Sequence, residues 1–176
     1  MEESFYIPYP LNEEVDKVST IIEQISTNGE SYFIDIFKEI KKSQPFLLHT
    51  FLNFSNKISN DQLNFLTNDL VIIWLYFREE PNAKEIKISV EDYLYFYRKN
   101  LEIIEEVSNQ LIDSSSELMV DFGQKDCKSQ ALISMIGFRF HALKEMKSLS
   151  PEFQAEILLT IKSMVQSFEK IIRIEP

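Results

Sequence analysis

Leu70-Val71-Ile72-Ile73-Trp74-Leu75-Tyr76-Phe77 is apolar around its whole circumference when wound as a helix, whereas nearly every other segment is apolar on one face only. The run is far shorter than the ~18 residues a membrane span needs, and Asp69 and Arg78 close it at both ends. A short rod buried on all sides, ringed by amphipathic helices, is the plan of a globular core. The fold class expected is therefore all-α: a compact single-domain bundle of about six to seven helices around a buried central helix, with an extended arm over residues 1–10 and the bundle over 11–176. An apolar fraction of 44% in 176 residues is enough for one core that buries about 70% of the unfolded chain's surface.

Working outward from the rod, Ser59 with Gln62 three residues later forms a capping box that opens a helix over roughly 60–80, and Pro81 stops it. Upstream, Pro45 suits the first turn of a short helix carrying Phe46, Leu48, Phe51 and Leu52. Before that, Asn12 caps a helix, with Leu11, Val15, Val18, Ile22 and Ile25 on one face. Asn28-Gly29 ends it, and a second stretch from Glu30 to Lys42 follows. Tyr-, Ile- and Phe-bearing residues 1–10 contain two prolines and form the extended arm. Downstream, Ile86, Ile88 and Val90 alternate as in a short strand, although no partner strand is visible. Ser89 then caps a helix over 90–112 whose main core face is Val90, Tyr93, Leu94, Tyr97, Leu101, Ile104 and Leu111, widened by Phe96, Ile103 and Val107. A break and new cap at 114–117 and an interruption near Gly123 precede a helix over 131–147. Ser150-Pro151 opens the last helix, with Phe153, Ile157, Ile161, Met164, Val165, Phe168, Ile171 and Ile172 as its apolar stripe. No repeat and no linker divides the chain.

Charge narrows the partners. Lys and Arg total 18 against 28 acidic residues, a net charge of −10, so the field repels phosphate backbones and anionic lipid and attracts basic proteins. The expectation is a protein partner of basic character, with no nucleic acid and no membrane. A lone Cys127 and an N-terminus without a charged, apolar leader point to the cytosol.

Reactive constellations are sparse. Di-iron bundles need a Glu three residues before a His, but Phe46 and Phe138 stand three before His49 and His141. Cys127 and His141, if on one helix, lie about 21 Å apart, too far to share zinc. Gly29, Gly123 and Gly137 are isolated, which disfavours phosphate-cradling loops. Glu102, Glu105 and Glu106 followed by Glu117 and Asp121 match poorly the carboxylate spacing of helical magnesium sites. No metal site and no cofactor is expected.

Five residues stand out as candidate binding positions. Arg139 occupies the middle of an apolar arc formed by Ala131, Leu132, Met135, Ile136, Leu143 and Met146, so its charge must be paired or reach water. Asp69, at the start of the apolar rod, is the candidate partner, and an anion pocket on Arg139 is the alternative. His141 lies in a polar stripe with Gln130, Ser134, Gly137 and Glu145, where small residues permit close approach of another helix. Tyr95 stands on the polar face of its helix beside Arg98, the composition of an interface hot spot. Trp74 and Arg78, four apart, can stack as a cation on an aromatic ring. The functional expectation is a non-enzymatic interaction protein, an adaptor or an immunity-like inhibitor of a basic partner. The alternative is a helical-bundle enzyme or small-ligand binder using a carboxylate cluster with magnesium or the Arg139 pocket.

Overall fold

The computed structural model describes residues 12–110 and 125–173. The expectations for the arm, for Leu11, Leu111 and Ile112, for the break at 114–117 and for Gly123, with the side chains of Glu106, Val107, Glu117 and Asp121, lie outside the described residues. Among the described residues eight α-helices follow one another: α1 (Asn12–Ser43), α2 (Pro45–Leu52), α3 (Asn60–Phe77), α4 (Pro81–Glu85), α5 (Val90–Gln110), α6 (Gln130–Ala142), α7 (Lys144–Lys147) and α8 (Pro151–Ile171). A 3-10 turn at Asn53–Asn56 links α2 to α3, and no strand occurs among the described residues. The all-α bundle is the architecture found. No helix among the described residues is long and apolar enough to cross a membrane.

The apolar octapeptide forms the C-terminal half of α3. Every side chain in it except Tyr76 is 4% exposed or less, and α1, α2, α6, α7 and α8 all pack against the helix that carries it. The capping box is present: Ser59 Oγ accepts from Gln62 N–H, and Gln62 Oε1 accepts from Ser59 N–H. Helix α3 ends at Phe77, earlier than expected, and Pro81 opens α4 by taking a first-turn position whose N–H would have no partner. Arg78 turns to Glu39 and Glu79, at 3.5 and 3.0 Å, while the Trp74 ring packs on Phe168, so the stack expected between them gives way to ion pairs.

Helix α1 bends where Asn28-Gly29 was expected to end a helix. Gly29 adopts φ 70° and ψ −171°, a region essentially restricted to glycine. Just before it Ser26, Thr27 and Asn28 fold their side chains back onto the carbonyls of Ile22, Glu23 and Gln24, a local pattern that competes with helix continuation.

The alternating stretch Ile86 to Val90 finds an unexpected partner in a side chain. Gln44, 1% exposed at the α1–α2 joint, donates from Nε2 to the carbonyls of Ala83 and Ile86 at 2.8 Å each. Its Oε1 accepts from Ile88 N–H at 2.9 Å. One amide thus satisfies backbone groups that a neighbouring strand would otherwise have to pair.

A second rod was not foreseen. In α8 every residue from Leu159 to Glu169 is buried, although Thr160, Lys162, Ser163, Gln166, Ser167 and Glu169 are polar. These residues read as a solvent face beside an apolar stripe. Instead, α5 packs along α8 and meets Thr160, Ser163 and Gln166, Glu169 meets the segment before α6, and α3, α4 and α6 pack on α8 as well.

Candidate functional site

Helix α5 buries only part of the expected face: Tyr93 points inward, Tyr97 and Ile104 are half-buried, and three of its aliphatic members are exposed. Val90, Leu94 and Leu101 are 52%, 37% and 39% exposed, while Tyr93, Asn100 and Ile103 are buried. Asn100 donates from Nδ2 to Gln166 Oε1 at 2.7 Å and to Ser163 Oγ at 3.1 Å, and Tyr93 donates to Thr160 Oγ1 at 3.4 Å. These bonds supply partners to polar groups of α8 that would cost about 1–3 kcal/mol each if buried unpaired, while Asn100 Oδ1 itself has no hydrogen-bond partner among the described residues. Burial pushes the Tyr93 phenol up to about 12, and a bond from Lys170 to Asp92 at 2.5 Å ties the start of α5 to the end of α8.

The outer half of α5 carries four large apolar side chains in water. Tyr95 is the most exposed of them at 61%. Tyr95, Arg98, Glu91, Leu94, Lys99 and Glu102 line one shallow groove. A second groove on the other side of Leu94 is lined by Tyr97, Phe54, Thr50, Asn53, Lys57 and Glu156, so the two form a continuous surface along the helix. Such clustering is what interaction surfaces present, whereas scattered single apolar residues carry no such meaning.

The other candidates occupy two further places. Arg139 Nε lies 3.3 Å from Asp69 Oδ1, and its guanidinium sits 5.3 Å over the Phe65 ring. Asp69 is 0% exposed, and its Oδ2 has no hydrogen-bond partner among the described residues. Burial pushes the Asp69 carboxyl up to about 7 despite the opposing pull of Arg139. With its guanidinium engaged by Asp69 and Phe65, Arg139 is better suited to pairing a buried carboxylate than to receiving a ligand anion. His141 is half-buried near the end of α6, with its ring 5.9 Å from that of Phe140. A methyl group placed on Gly137 would meet nothing within 4 Å, so no described segment makes the close approach that the small residues permit.

The residues that sequence reasoning missed form a clasp at the start of α6. Glu169 Oε1 accepts from Cys127 Sγ–H, Lys128 N–H and Ser129 N–H at 3.3, 2.9 and 2.6 Å. Glu14 Oε1 accepts from Ala131 N–H, Leu132 N–H and Tyr76 O–H at 3.1, 3.4 and 3.1 Å. Helix α6 has no cap from its own Ser129, so carboxylates from α1 and α8 complement its positive end. Gln166 Nε2 holds the Asp126 carbonyl at 3.0 Å, one turn along α8 from Glu169. Burial and the Glu169 carboxylate push the Cys127 thiol well above its usual range, which opposes thiolate chemistry. Burial lowers the Lys162 ammonium to about 8. The one sequence signal for this polar rod is the spacing of Lys162, Ser163, Gln166 and Ser167, which places them on a single arc of α8.

Among the described residues no three His, Cys, Asp or Glu side chains are grouped so as to hold a metal ion. No known protein family matches the chain, and no curated protein or solved structure matches it either.

Proposed function

We propose that the chain is a non-enzymatic, cytosolic interaction module, an adaptor or immunity-like inhibitor, that binds a basic protein through the outer half of α5. The observation that carries this reading is the exposure of Tyr95, at 61%, in one groove with Leu94 on a chain of net charge −10. Aromatic and arginine side chains dominate interface energetics, and Tyr95 and Arg98 line one groove flanked by Glu91 and Glu102. The acidic field adds steering toward a positively charged surface.

A photo-crosslinking side chain at position 95 in the cell of origin, followed by purification of the captured protein, identifies the partner. Calorimetric titration of that protein is then expected to show binding at least tenfold weaker for the Tyr95→Ala, Arg98→Ala double variant, about 1.4 kcal/mol or more. An acidic partner, or an affinity untouched by the two substitutions, contradicts the proposal.

A further inference from the structure

We infer that the element α5 receives is an amphipathic helix with basic flanks, lying lengthwise on a heptad seam formed by Val90, Leu94, Tyr97 and Leu101. This rests on the interaction reading above and specifies its partner. The four residues are spaced by four, three and four, the alternation that keeps apolar side chains facing a neighbouring helix. Val90, Leu94 and Leu101 stand 37–52% exposed, and Tyr97 is half-buried between them. Beneath the seam, Ile103 and Leu159 form a small apolar cluster against which Tyr97 packs, so the ridge has a firm base. An extended strand presents side chains every two residues and cannot follow a 3.5-residue repeat over three turns, whereas a second helix can seat its side chains between those of α5. The grooves on either side of Leu94 are the holes such side chains would fill.

Charge selects the sequence of that helix. The flank beside the seam carries Glu91, Glu102 and Glu105 against Arg98 and Lys99, and Lys99 is already paired with Asp126 at 3.1 Å. Rows of lysine or arginine on the incoming helix meet these glutamates and a chain of net charge −10. A second copy of this chain would bring the same glutamates and the same net charge to the contact, which disfavours self-association through this face.

Three synthetic peptides of about three heptads test the inference against the intact chain by fluorescence anisotropy. One has leucine at the two seam positions and lysine on the flanks, one has the same composition without the heptad order, and one has glutamate in place of lysine. The leucine–lysine heptad peptide is expected to bind at least tenfold more tightly than the other two. The Leu94→Glu, Leu101→Glu variant, substituted at exposed positions and checked for retained helicity and melting temperature, is expected to lose at least tenfold, and added salt is expected to weaken binding. Equal binding of the disordered-pattern peptide, an undiminished affinity of the variant, or a dimer of the chain that the variant dissociates would overturn the inference. If the captured native partner binds through Tyr95 and Arg98 while the heptad peptide does not, the helical identity of the partner element fails and the interaction reading stands.

Discussion

The wild-type chain is expected to lose about 4 kcal/mol of stability through Asp69 as pH rises from below 4 to above 7, and Asp69→Asn is expected to remove that loss. Asp69 lies at the head of the apolar rod with one oxygen on Arg139 and the other without a partner among the described residues. Burial moves its carboxyl from an ordinary 3.8 to about 7. Between those values the native state holds a proton that the unfolded chain releases. The stabilisation from this site is therefore complete below pH 3.8 and is lost as pH climbs through 7. Denaturant unfolding at pH 5 and pH 8 reads the effect: the variant gains on the wild type at pH 8, and a gap independent of pH contradicts the assignment. Arg139→Met complements the test, because it removes the charge that favours ionised Asp69 and is expected to cost most at high pH.

Glu169→Leu is expected to lower stability by about 2–5 kcal/mol, because each buried N–H group left without its acceptor costs about 1–3 kcal/mol. The substitution strips the acceptor from two backbone N–H groups and one thiol at the start of α6 and leaves Arg173 without its 3.8 Å neighbour. Glu169→Gln retains a carbonyl oxygen at the same reach and is expected to lose less, about 1–2 kcal/mol. Urea unfolding ranks the three proteins. Cys127 supplies an independent readout, since the wild-type thiol is buried and bonded to Glu169 and should react slowly with maleimide in the folded state. Faster labelling in Glu169→Leu under native conditions is the expected companion result. Identical stability of wild type and leucine variant contradicts the clasp.

Features set by local chemistry were legible in the sequence. The octapeptide announced a buried rod, Ser59 and Gln62 a capping box, and Pro45 and Ser150-Pro151 the starts of helices. The Asp69–Arg139 pair was legible because each member is a charge in an apolar setting, and a charge there must find its opposite. Long-range polar contacts were not. Gln44 reaches Ile88, 44 residues away, and Glu169 reaches Cys127, 42 residues away. A lone polar residue on a helix reads as solvent-facing until its distant acceptor is known. In α5, counting apolar residues rightly put Tyr93 and Ile103 inside but put Leu94 and Leu101 there too, and it missed Asn100, which is buried on Ser163 and Gln166. For the candidate binding positions, the pattern singled out Tyr95 and Arg98 individually, but only the exposure of Leu94 joins them to it along one groove.

Hydrogen exchange of the chain, alone and saturated with the captured native partner, tests the docking role of α5 most directly. Protection on binding is expected to concentrate at backbone amides of residues 90–105. Protection centred on His141 and Gly137 in α6, or around Arg139 and Asp69, with α5 unchanged, would contradict it.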